Sequence, residues 1–346
     1  MMKYHLVQLK PLFAYRSFFI FHFTLNAINY IIAAKQMSTI NVIASCTALK
    51  RHSPKVRQTM ATISTKRTAT RFEEWKNRID SVTGVVPAKD LYKGGYWSTM
   101  NSLTPPPREQ SNINLWILSA GYGFIHSSQP VAPYSATFAR GNPDSVIHAE
   151  TNTSDIAVWW SRLIELNTSK KMAPASIAQL AATNPKTPIV AAISPNYLLA
   201  VQEDLCAARD ALSDPSLLII ISTGTRSHKN LAENLVPVDA RFQHVVGGSR
   251  TSLNARIAQW IISNTKHEEL RVDKVSSRIS KVLAAQPPIT VFKRDLMSDE
   301  EVQQFIREKL KTIDRPSHSR FLTVLRSEGK ACEQKRFREI YLKTAK

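Results

Sequence analysis

The chain has 346 residues with 46 Lys plus Arg against 27 Asp plus Glu, which gives a formal charge of +19 and a pI near 10.0. Hydrophobic residues are 43% and charged residues 21%, which excludes disorder throughout, a collagen-like repeat and a multi-span membrane protein, and leaves room for about two domains of roughly 150 residues. Cys46, Cys206 and Cys332 form no CxxC or CxxH spacing, so neither a disulfide scaffold nor a thiolate zinc site is expected, and the sparse set suits a reducing compartment.

Residues 17–34, SFFIFHFTLNAINYIIAA, carry no formal charge between Arg16 and Lys35. A membrane span wants about 20 mostly apolar residues, and His22, Asn26 and Asn29 are costly in hydrocarbon. Ala33-Ala34 loosely supplies a signal cleavage site. The run MSTINVIASC opens directly into β-branched residues at Met37. Residues 1–36 are therefore read as an upstream hydrophobic extension, ahead of a membrane anchor or a packed extra helix, and the working domain is placed at 37–286.

From Met37 onward, short apolar runs end in small or hydroxyl residues and alternate with helical patterns, the rhythm of an α/β protein. Strands are expected at 40–44, 115–118, 189–193, 217–221 and 245–246. They end respectively at Ser45-Cys46-Thr47, Ser119-Ala120-Gly121, Ser194-Pro195-Asn196, Ser222-Thr223-Gly224 and Gly247-Gly248-Ser249. The runs lack clean alternation, which fits strands buried on both faces of a largely parallel or mixed central sheet flanked by helices. In such sheets the ligand lies beyond the carboxyl ends of the strands. Helices are expected at 72–80, 156–166, 196–212 and 253–264. After Pro287-Pro288 the character changes to three short helices, opened by Ser298-Asp299-Glu300-Glu301, a capping signature. This small all-helical appendage, 287–346, carries 14 basic and 9 acidic side chains.

Three loops carry candidate chemistry. In Leu118-Ser119-Ala120-Gly121-Tyr122-Gly123, followed by Pro133-Tyr134, two glycines around an aromatic let a ligand approach the backbone; a buried tight turn has the same composition. In Gly247-Gly248-Ser249-Arg250 through Arg256, a glycine pair precedes a helix whose amino terminus and arginines suit an anion. It is neither a Walker A nor a dinucleotide fingerprint. In Cys46 through His52, a strand end meets Lys50 and Arg51, both suited to phosphate. Cys46 as a nucleophile would need a base, and packing at the sheet edge is the plainer reading. The histidines are isolated, so no metal site is expected, and no cofactor.

Read in order, Ile43-Ala44-Ser45-Cys46 with Lys50, Leu91-Tyr92-Lys93-Gly94, Ser119 through Gly123 with Pro133-Tyr134, residues 155–160, Ser194-Pro195-Asn196-Tyr197 and residues 250–261 resemble the motif series of the YaaA-like peroxide-stress family over roughly 40–262. The first loop departs from the family's Ser-Pro-Ala-Lys character, and 287–346 has no counterpart there. The resemblance implies a cytoplasmic α/β DNA-binding protein linked to protection against oxidative damage. The strand-end loops are more distantly similar to those of the archaeosine-synthase group, whose members act on modified bases. Two functions are therefore expected in order: nucleic-acid binding, DNA favoured, through Lys50, Arg51, Arg250, Arg256 and the basic appendage; or an enzyme acting on a nucleotide or base, with Tyr122 or Tyr134 stacking it and Ser119, Ser194 or Asp155 orienting it. A membrane-tethered interaction protein is a third, resting on 17–34.

Overall fold

The computed structural model describes residues 38–80, 84–103, 111–224, 228–289 and 293–345. The expectations for 1–36 and for a start at Met37 lie outside the described residues. Two compact units are present, Met1–Gln286 and Pro287–Lys346.

The first unit is an α/β structure around a five-stranded mixed sheet. Its strands are β1 (Ser38–Ser45), β2 (Ser111–Ser119), β3 (Gly123–His126), β4 (Ile189–Ala192) and β5 (Leu218–Ile221). The spatial order is β3-β2-β1-β4-β5, with every neighbour parallel except β2 and β3. Every residue of β4 and β5, and β1 from Ile40 on, is buried, so helices cover both faces and no polar–apolar alternation is available to these strands. Register aligns the carboxyl ends: Ser45 pairs with Leu118, Ala44 with Ala192, and Ala192 with Ile221.

Flanking helices are α1 (Thr68–Asp80), α2 (Gly95–Ser102), α3 (Asp155–Ser169), α4 (Ile177–Thr183), α5 (Pro195–Ala200), α6 (Gln202–Ala211), α7 (Leu253–Asn264) and α8 (Val272–Ala284). The helix expected over 196–212 is two helices, parted at Val201. The strand expected at 245–246 is not formed. Asp239 caps a 3-10 turn by accepting from the Arg241 amide, the chain winds on into the helical turn Gln243–Val246, and Gly247 and Gly248, at φ 64° and 75°, end it. A two-residue β-branched pair is too short to override that local winding.

The second unit packs α9 (Asp299–Leu310), α10 (His318–Ser327) and α11 (Gln334–Thr344) around Val302, Phe305, Phe321, Leu325 and Phe337, beside a two-residue parallel pairing of Asp295–Leu296 with Lys330–Ala331. Ser298 and Glu301 form the capping box in both directions at the start of α9. All three cysteines are free thiols: Cys46 is buried in the first core, Cys332 in the second, and Cys206 on α6 is part-exposed. Among the described residues no helix is long and apolar enough to cross a membrane.

Candidate functional site

Strand order fixes where a site can form. The connection leaving β1 runs to β2 on one side, while the connection leaving β4 runs to β5 on the other. Chains diverging from neighbouring parallel strands leave a crevice at their carboxyl ends. Here that crevice opens between Cys46, which follows β1, and Ser194–Tyr197, which follow β4.

Polar side chains fill it. Cys46 Sγ and Tyr197 Oη make a hydrogen bond across the crevice at 2.8 Å, both residues being buried. Tyr96, on the first turn of α2, ties the two strand ends together: its hydroxyl accepts from the Ser45 amide at 3.0 Å and donates to the Ala192 carbonyl at 2.5 Å. Ser45 Oγ in turn accepts from the Ser194 amide at 3.3 Å.

A second group adjoins it. The loop after β1 pairs with the segment before α2, Lys50 bridging Tyr92 and Arg51 N–H donating to the Leu91 carbonyl. This sets Lys50 Nζ over the Tyr134 ring, 4.4 Å from its centroid, and 5.8 Å from that of Tyr92, while Nζ donates to the Thr47 carbonyl at 3.1 Å. Tyr134 Oη lies 2.6 Å from Ser119 Oγ and 3.0 Å from Tyr92 Oη. Ser119 Oγ accepts from the Gly121 and Tyr122 amides, which turns its own proton toward Tyr134, while Tyr134 Oη is within reach of both Tyr92 and Cys46. Tyr92, fully buried, closes the group within hydrogen-bonding reach of Tyr134 and Ser119.

Burial governs the acidities. It pushes the Lys50 ammonium below the ordinary lysine range, opposed by Cys46 and Asp144, and pushes the phenols of Tyr92, Tyr134 and Tyr197 well above theirs, reinforced by Cys46. At neutral pH the tyrosines are proton donors, and the amine is easier to deprotonate than an exposed one.

Of the residues singled out by sequence, Lys50, Ser119 and Tyr134 are in direct contact here. Tyr122 packs edge-on against Tyr134, and its hydroxyl donates to the Ala132 carbonyl at 3.4 Å; burial raises its pKa to about 12. Gly121 and Gly123 serve close packing: a Cβ at 121 would meet Tyr134 and Trp75 at 2.6 to 2.9 Å, and one at 123, where φ is 79°, would meet Asn167 at 2.8 Å. Their loop is the tight turn of the β2–β3 hairpin. Gly247, Gly248 and Arg250 are exposed. Arg256 does not present its guanidinium outward: it donates to Ser252 Oγ and the Val246 carbonyl and lies so close to Gly248 that a Cβ there would overlap it. Arg51 is exposed. Among the described residues no carboxylate lies within ion-pairing distance of Arg51, Lys93 or Arg250. Ser252, just after Arg250, packs against Gly95 at the start of α2, so these cations border the loops that hold the cluster.

Cys46 as a participant, Tyr92, Tyr96, Tyr197 and Asn254 were not picked out as site residues by the sequence reading, although Tyr92 and Tyr197 stand inside the quoted motifs. Asn254, at the start of α7, accepts from the Thr223 amide and hydroxyl and donates to the Ile193 carbonyl at 2.7 Å, holding the ends of β4 and β5 together. Among the described residues no three His, Cys, Asp or Glu side chains stand together as a metal-holding group. Comparison of the chain with known protein families, with curated proteins and with solved structures finds no match.

Proposed function

We propose that the α/β unit binds nucleic acid, DNA foremost, as the YaaA-like resemblance implies, with a role in DNA protection or stress response. Phosphates would lie along Arg51, Lys93 and Arg250, and one nucleotide would reach the crevice at Lys50 and Tyr134. The observation that carries this reading is the polar cluster at the switch point, bordered by exposed cations that no carboxylate among the described residues neutralises. Clustered cations of this kind gain affinity by releasing counterions. Affinity for duplex and single-stranded DNA should fall steeply from low to physiological salt. Arg51→Ala and Arg250→Ala should each flatten the log K against log salt plot by about 0.9 for duplex and about 0.7 for single strands. No binding at low salt refutes the proposal.

A second reading, an enzyme acting on a nucleotide or a base, is favoured by a different observation. Lys50 and three buried phenols form a set of titratable groups shifted by desolvation beside the buried Cys46 thiol, the kind of clustering found at reaction centres. Mass spectrometry of nucleosides and modified oligonucleotides incubated with the protein tests it, and unchanged substrates count against it.

A further inference from the structure

The chemistry available to Lys50 can be narrowed from its surroundings. Its amine faces aromatic rings rather than a carboxylate: Nζ stands 4.4 Å above Tyr134 and 5.8 Å from Tyr92, and no ion pair forms there among the described residues. A lysine kept for its charge is usually opposed by an acid or given to water. This one is part-buried against phenols, whose hydroxyls form one buried hydrogen-bonded set with Ser119. A primary amine with a buried acid beside it is the equipment for condensation with a carbonyl.

We propose that Lys50 is an amine nucleophile that forms an imine with an aldehyde carried on a phosphate-bearing chain. Resting on the nucleic-acid reading above, the substrate is the ring-opened sugar of an abasic site in DNA. The Nζ lone pair attacks the aldehyde carbon and the carbonyl π pair moves to oxygen, which takes a proton from the Ser119–Tyr134–Tyr92 chain. Nitrogen loses a proton as the carbinolamine forms. That proton returns to the chain and from it passes to the hydroxyl as the C–O bond breaks; water leaves, the nitrogen lone pair completes the C=N bond, and the remaining N–H proton of the iminium goes back to the chain. The sum is amine plus aldehyde to imine plus water, with no oxidant or reductant. Burial assists the first step, because every pKa unit below an ordinary lysine raises the free-amine fraction at neutral pH about tenfold.

The test is reductive trapping on the full chain with cyanoborohydride at pH 7, using three probes: an abasic-site oligonucleotide, the same oligonucleotide undamaged, and glyceraldehyde 3-phosphate. The expected result is a covalent adduct with the abasic strand and with the small aldehyde, mapped by peptide mass spectrometry to Lys50, and none with undamaged DNA. Lys50, whose ammonium is destabilised by burial, should be labelled faster than the exposed lysines. Lys50→Arg, which keeps the cation and cannot form an imine, should abolish the adduct. Mapping on the unaltered protein decides the matter even where that variant fails to fold. Label spread over surface lysines, or no adduct with either aldehyde, overturns the proposal. Trapping of the small aldehyde alone overturns the abasic substrate. Binding of the undamaged strand at low salt, measured alongside, shows whether such a failure belongs to this inference or to nucleic-acid binding itself.

Discussion

Gly121→Ala tests the packing that supports the hydroxyl chain. Gly121 has no positive φ, so alanine meets no backbone penalty, and the effect comes from contact alone. Its Cβ would sit 2.6 Å from Tyr134 Cδ2, 2.7 Å from Cε2 and 2.9 Å from Trp75 Cζ2, and both rings are fully buried. Neither ring swings away freely. Trp75 Nε1 donates to the Gly121 carbonyl itself, and Tyr134 is held by Ser119 and Tyr92. Overpacking a tight core costs about 1–3 kcal/mol, and loss of one of these bonds adds about 1 kcal/mol, so a destabilisation of about 2–4 kcal/mol is expected. All six tryptophans belong to the α/β unit, so urea denaturation followed by tryptophan fluorescence reads that unit alone. The midpoint should fall by about 0.7 M or more, with the slope unchanged. A change below about 0.5 kcal/mol refutes the reasoning. So does simple additivity with Tyr134→Leu, which removes the overlapping ring edge and should couple to Gly121→Ala by at least about 1 kcal/mol.

Other expectations follow from the same geometry. Asn254→Ala removes three hydrogen bonds and orphans the buried Ile193 carbonyl, and should cost about 2–4 kcal/mol in the same fluorescence titration. Lys50 is lowered by burial, so the unfolded chain binds its proton more tightly, and stability rises with pH from the lowered value toward about 10.4. Compared with Lys50→Met, the native protein should gain stability across that window. The comparison ends near pH 10, because Tyr92, Tyr134 and Tyr197 are raised in the fold and withdraw stability above about that point. A flat or falling difference counts against a desolvated amine. Ser298→Ala breaks the capping box of α9 and should weaken protection of residues 299–310 by about 1 kcal/mol in hydrogen exchange on the full chain.

Four of the five expected strands were legible because a run buried on both faces leaves an unbroken apolar string, and each ends where a small residue turns the chain. The capping box was legible because Ser298 and Glu301 are both sequence and structure, three residues apart. Val245-Val246 misled because β-branched character is a propensity, and the Asp239 cap upstream decides the winding. The glycines of the Ser119–Gly123 loop admitted either a close-lying ligand or a buried tight turn, and Tyr134, Trp75 and Asn167 stand where their Cβ atoms would be. Composition cannot distinguish those two uses. The crevice itself was invisible for a topological reason. Cys46 meets Tyr197 across 151 positions and Tyr92 meets Tyr134 across 42, separations that no local spacing records and that only strand order creates. Arg256 shows the converse: an arginine placed after two glycines suits an anion, until the tight turn draws its guanidinium back onto Ser252.

The placing of the thiols gives the molecule three built-in clocks. Cys206, half in water, should react with a thiol reagent first and set the reference rate, while Cys46 and Cys332 are sealed in separate interiors and wait for their own surroundings to open. Alkylation timed residue by residue would therefore record how often each unit breathes, in a single tube and without adding a label to the sequence.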